Sequence, residues 1–157
     1  MLTNNQKTIL ASALRAESDS AVQAAVAGGN ITYLMEWCNG LGATDAWNTM
    51  VDKASLFEAT NIAKFDNLTA GKRDAWRLVI DNAPIDAARN RMRSATVDIW
   101  GATDSVAILQ DMRRKATRGE AYLGGNNATT NTVSALKLNY IGSLSIDDIA
   151  TALNENP

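Results

Sequence analysis

Residues 111–153 read DMRRKATRGEAYLGGNNATTNTVSALKLNYIGSLSIDDIATAL, and the fold turns on how this stretch is read. A cation-rich helical pattern runs to about Leu123 and meets a break at Gly124-Gly125-Asn126-Asn127. Leu136, Leu138 and Tyr140 then alternate with Lys137 and Asn139, the two-residue period of a half-buried strand. Val133 either extends this strand or begins a partner to it. Gly142 ends the segment. Ser145 followed by Asp148 has capping-box spacing for a terminal helix carrying Ile146, Ile149, Ala150 and Leu153. Asp147 and Asp148 in its first turn suit the helix dipole. This is the one clear strand signal in the chain, and a lone strand cannot satisfy its own N–H and C=O groups. It must close as a hairpin on its own domain or reach out as an arm that adds to a neighbouring chain.

Outward from this stretch the pattern is helical. Thr3 precedes a helix with Ile9, Leu10, Ala13 and Leu14 on one face. Ser18 precedes a second, with Ala21, Val22, Ala25 and Val26, ended by Gly28-Gly29. Asn30 opens a third, with Ile31, Leu34, Cys38 and Leu41 on one stripe, and Asn39-Gly40 and Gly42 end it. Between 43 and 67 the pattern is of short helical pieces. Thr44-Asp45 could start a turn carrying Trp47, Met50 and Val51, and Ser55 with Glu58 has capping-box spacing. Thr69 caps a helix with Trp76, Val79, Ile80 and Ala83 inward, stopped by Pro84. Asp86 opens a longer one with Ala88, Met92, Ala95 and Ile99 inward, closed by Gly101. Thr103 or Asp104 starts the next, with Val106, Leu109, Met112 and Ala116 inward. The expected architecture is mainly α, a bundle of about seven or eight helices with one β-hairpin or β-arm near the C-terminus and a short terminal helix. The expected organisation is a single domain: a helical part over 1–123, a loop and β-arm over 124–144, and a C-terminal helix over 145–157.

Bulk properties exclude several function classes. The chain has 157 residues, 46% apolar and 20% charged, an ordinary globular composition rather than a disordered one. A net charge of −2 gives no electrostatic bias towards nucleic acid or membrane surfaces. No apolar run approaches the roughly 20 residues needed to span a bilayer, and the N-terminus lacks the pattern of a signal peptide. With one cysteine and no histidine, there is no intrachain disulfide, and a zinc site is not expected. The commonest general base is missing as well. Phosphate-loop, nucleophile-elbow and dinucleotide fingerprints are absent. Asp and Glu number 17, which leaves a carboxylate-based hydrolase open, although no spacing singles out a pair. No catalytic residue, cofactor or metal is expected.

Two arginine pairs, Arg89/Arg93 and Arg114/Arg118, fall four apart on the helices read here. Like charges at that spacing destabilise an isolated helix by roughly 0.2–0.5 kcal/mol. They invite relief from solvent and local carboxylates (Asp86 for Arg89, Asp111 for Lys115), from carboxylates of a neighbouring subunit, or from phosphates. Trp37, Trp47, Trp76 and Trp100 suit core or interface packing better than a stacking platform for bases or sugars. Cys38, on an apolar stripe, reads as a buried inert thiol.

The segment RRKATRGEAYLGGNNATTNTVSALKLNYIGSLSIDDIATALN resembles a family of small proteins encoded among the head and tail genes of tailed bacteriophages. The matching residues are Arg114, Ala116, Thr117, Arg118, Glu120, Gly124, Gly142, Ser145, Asp147, Leu153 and Asn154. DNLTAGKRDAWRLVI (66–80) and the opening LTNNQ…LASALRAES are similar too. Asn126 and Asn127 depart from the family's loop, and 43–65 match poorly. The resemblance implies a virion structural protein made in the host cytoplasm and placed in the neck, at the head–tail interface. There it would be a connector (adaptor or head-completion protein), a homo-oligomeric ring bridging the portal to other neck or tail proteins. Packaged DNA would pass nearby without sequence-specific binding, and no membrane is involved. The expected oligomer and partner interface comprises Arg89, Arg93, Arg114, Arg118, Leu136, Leu138 and Tyr140. The rival readings are a small helical DNA-binding or regulatory protein, against which the acidic balance and missing basic stripe argue, and a virion-associated carboxylate hydrolase.

Overall fold

The computed structural model describes residues 1–155. Among these the chain is mainly α with one small sheet. The first elements are α1 (Asn4–Ala16), α2 (Ser20–Gly28), α3 (Ile31–Asn39), β1 (Leu41–Trp47), α4 (Lys53–Ala59), α5 (Ile62–Asp66) and α6 (Ala70–Asp81). They continue with α7 (Asn90–Asp111), β2 (Arg113–Thr117), α8 (Arg118–Leu123), β3 (Gly125–Thr130), β4 (Val133–Leu138) and α9 (Ile146–Glu155). The chain forms two compact units. The first comprises Met1–Thr44, Lys115–Asn126 and the chain from Leu138 onward; the second comprises Asp45–Arg114 and Asn127–Lys137. The boundaries expected at 124 and 145 both fall inside the first unit.

In the first unit, local chemistry sets the helix starts. Thr3 and Gln6 form a reciprocal capping box at α1, which satisfies donors that the first turn leaves open. Asp19, rather than Ser18, caps α2, because its carboxylate takes the N–H groups of both Ala21 and Val22 at 2.9 and 3.2 Å. Gly29, at φ 67°, ends that helix, a conformation that an L side chain resists. Asn30 caps α3. Ser145 and Asp148 cap α9 reciprocally, and Asp148 also accepts the N–H of Leu2. The buried core gathers Leu10, Leu14, Val22, Leu34, Cys38, Leu123, Leu144 and Ile149.

The second unit is built around Trp47, Leu56, Trp76, Ile99, Trp100, Leu109 and Met112, all buried. Trp76 and Trp100 meet edge to face, with centroids 5.5 Å apart, a favoured aromatic geometry. Thr69 caps α6. Asp52, not Ser55, caps α4. A break in α7 at Gly101 (φ 81°, ψ 169°) is the stop expected there, although the helical ladder resumes directly.

Two expectations are corrected, and an open one is resolved. Residues 41–47 form β1 instead of a helical turn: Gly40 and Gly42 weaken any local helix, and parallel pairing with β4, Ala46 opposite Leu136, overrides local propensity. The helix expected to run to Leu123 stops at Met112. Arg113, Arg114 and Lys115 lie in β2, and a Thr117–Glu120 capping box restarts the helix as α8. Arg114 and Arg118 therefore do not share a helix. Of the two readings of the β segment, the hairpin closed on its own domain is the one seen: β3 and β4 are neighbours in the strand order β2-β1-β4-β3, and β4 is interior. Its backbone groups are used on both sides. Val133 and Ala135 are buried, whereas Leu136 and Leu138 are half-buried. The N–H of Arg118 to the C=O of Gly40 and the N–H of Asn48 to the C=O of Met112 flank the β1/β2 pair, so those two strands run antiparallel.

Candidate interaction site

The residues expected to form one interface are divided between the units: Arg89, Arg93, Arg114 and Leu136 belong to the second, and Arg118, Leu138 and Tyr140 to the first. Arg93 is only 3% exposed. Its Nε donates to Thr130 Oγ1 at 2.8 Å and a terminal nitrogen donates to the Ala87 carbonyl at 2.6 Å. The guanidinium lies 4.7 Å from the Trp47 ring centroid, a cation–π contact. Burial lowers its pKa, and the nearby Asp86 charge works against that. Arg93 thus holds β1, β3 and α7 together inside the second unit. Arg89 stays at the surface, paired with Asp86 at 3.1 Å. Arg114 is half-buried on β2. Arg118 stacks 4.1 Å from the Trp37 ring centroid and donates to the Trp37 carbonyl. Gly40 leaves room for that guanidinium. Leu136 is a sheet residue opposite Ala46. Tyr140 packs against the core of the first unit and donates its hydroxyl to the Ser143 carbonyl at 2.9 Å.

In the first unit, Glu120 ties α8 to the chain that follows β4. Glu120 is 2% exposed and accepts the N–H groups of Thr117 and Gly142 at 2.9 and 3.1 Å. The Thr-x-x-Glu spacing at 117–120 is a readable capping signal that went unused in placing α8. A second chain of polar groups runs from the Trp37 indole N–H to the Tyr122 hydroxyl at 3.0 Å, and from that hydroxyl to the Glu17 carboxylate. The Tyr122 bond, then the Ser18 N–H, hold the Glu17 pKa down. Burial, then the bond to Glu17, push Tyr122 up to about 12. Cys38 is pushed up to about 12 by burial, against the opposing charge of Arg118, so its thiolate is disfavoured.

The surface with the character of a binding site lies on the second unit, around α6, and of the residues expected at an interface only Arg89 lines it. Phe57, Ile62 and Leu78 are 61%, 53% and 64% exposed. Phe57 and Ile62 border a cleft of about 360 Å³ lined also by Phe65, Trp76 and Ile80. Leu78 borders a second cleft, of about 480 Å³, with Val79, Pro84, Ile85 and Met92. Residues of α6 line both. Their rims are charged and internally paired: Lys53 with Asp81 at 2.9 Å, Arg77 with Asp74 at 3.2 Å, Arg89 with Asp86. Arg77 also covers the Phe65 ring at 5.6 Å. Such clefts can seat apolar anchors of a partner, with paired ions at the rim setting orientation. The signal in the sequence was the surplus of apolar residues in 56–65 and 76–80 beyond what one buried stripe per helix uses. Among the described residues, no three potential ligands gather to hold a metal ion, and no helix is long and apolar enough to cross a membrane.

Comparison with family profiles, with curated proteins and with solved structures finds no match for this chain.

Proposed function

We propose that the chain is a structural protein of a tailed-bacteriophage virion, a head–tail connector that assembles as a homo-oligomeric ring between portal and tail. The observation that carries this reading is the pair of apolar clefts lined by α6, with Phe57, Ile62 and Leu78 left exposed around them. Contiguous apolar surface of this kind serves contact between proteins. The phage-like motif residues support it from the other side. Thr117, Glu120, Gly142 and Ser145 spend their polar groups on one another, on the backbone and on Asp148, as a scaffold requires. The mechanism is mechanical. Subunits or portal insert apolar anchors into the clefts, and heterologous contact around a rotation axis closes a ring. DNA passes through without its bases being read.

Locating a tagged copy in intact particles by electron microscopy tests the proposal. A regular ring of density at the portal vertex is expected. Particles complete at that vertex but lacking the tagged protein refute it.

A further inference from the structure

The two edges of the small sheet differ in chemistry. An open sheet edge presents unpaired N–H and C=O groups and is usually guarded by charge, proline or a covering element. The β2 edge carries Arg113, Arg114 and Lys115 in succession. The β3 edge reads GNNATT, and no charged residue or proline lies between Glu120 and Lys137. The direction of the β3 backbone groups follows from pairing. β3 and β4 are neighbours joined by only Asn131 and Thr132, with Asn131 at φ 55°, so they form a hairpin. The hydroxyls of Thr129 and Ser134 touch across it, which makes these two residues a directly opposed, non-hydrogen-bonded pair. The N–H of Asn139 donates to the C=O of Gly124, which fixes the same phase at the far end. The main-chain groups of Asn127 and Thr129 therefore point away from β4. Ala128 points the other way, and its carbonyl accepts the Trp47 indole N–H at 2.9 Å. Asn127 and Thr129 are both exposed, and no hydrogen bond to their outward N–H or C=O groups is found among the described residues.

We infer that the β3 edge is a self-association surface whose occupant is β3 of a second copy of this chain, added antiparallel about a two-fold axis through Ala128. Asn127 of one copy then faces Thr129 of the other, and the reciprocal pair does the same. Up to about four main-chain hydrogen bonds form. The facing side chains are neutral amides and hydroxyls, so no like charges oppose one another. The β2 edge is rich in cations, although Arg113 is paired with Asp45 at 3.0 Å, and like charges facing one another across the same operation there disfavour it. β3 is therefore the less guarded of the two edges. This goes beyond the connector reading, because the contact needs no portal, tail or ring.

The test is sedimentation of the free full-length chain over a wide concentration range, with amide exchange measured at both ends of it. A reversible monomer–dimer equilibrium is expected, with the amides of Asn127 and Thr129 protected in the dimer. Asn127→Lys places a charge on each side of the axis and should weaken dimerisation at least tenfold while leaving the far-ultraviolet signal unchanged. Thr129→Lys is the independent second variant. The inference is overturned if the wild-type chain stays monomeric to its solubility limit. It is also overturned if the lysine variants dimerise like the wild type, or if a dimer forms in which both amides exchange as fast as in the monomer.

Discussion

Replacing Arg93 by methionine isolates what a buried guanidinium contributes to the second unit. Methionine keeps most of the aliphatic stem and removes the charge and every donor. Two acceptors at good distance lose their donor, the Ala87 carbonyl at 2.6 Å and Thr130 Oγ1 at 2.8 Å. Leaving each unsatisfied in the interior costs roughly 1–3 kcal/mol. The stacking on Trp47, at 4.7 Å, adds up to about 2 kcal/mol when shielded from water. Against this stands relief from holding a desolvated cation, which amounts to several kcal/mol and whose sign is visible in the lowered pKa. The balance is a destabilisation of about 2–4 kcal/mol. Urea unfolding, followed by fluorescence, should show the midpoint falling with the slope unchanged. Arg93→Lys, which keeps the charge but loses the planar fork, should fall between the two. A methionine variant as stable as the wild type, or more so, would refute the reasoning: burial of the cation would then outweigh all that it binds.

Two other predictions concern the first unit. Tyr122 has its pKa raised to about 12 from an ordinary value of 10, so the folded state holds this proton more tightly than the unfolded chain does. Its contribution is fully present below pH 10 and is lost as pH rises towards 12; thermal melts of Tyr122→Phe should therefore show a shallower alkaline decline than the wild type. Gly119→Ala places a Cβ 2.7 Å from Leu144 Cδ1 and 3.3 Å from the Cys38 carbonyl, an overpacking worth about 1–3 kcal/mol. Adding Leu144→Val should recover part of the loss in chemical unfolding, and no recovery would mean that the Cys38 backbone, not the leucine, sets the limit.

What could be read from the sequence divides by the range of the interaction. Thr3, Asn30, Thr69 and the Ser145–Asp148 pair start helices through bonds spanning two or three residues, and each start was legible. The halt at Gly101 was legible too, because a positive φ suits glycine. β1 and β2 were not. Their residues carry no strong strand pattern, and they become strands because β4, far along the chain, offers an unpaired edge to Ala46. That same pairing decides between hairpin and arm and makes β4 an interior strand. The apolar clefts escaped notice because periodicity identifies the buried face of α6, not which additional apolar residues stay uncovered.

The arginines show what spacing alone leaves out. A cation read on a helix without a facing carboxylate invites an external anion, but an indole face and carbonyl oxygens serve as well once the chain has folded. Trp47 and Trp37 supply those faces to Arg93 and Arg118; Arg93 is buried, whereas Arg118 is half-buried with a bond to the Trp37 carbonyl. A connector built from this chain has uncharged groups with which to grip its neighbours. In the second unit these include apolar side chains around α6 and the outward amides of Asn127 and Thr129. Both are uncharged, so assembly through them should vary little with salt, whereas assembly through arginine–carboxylate contacts would weaken as salt rises.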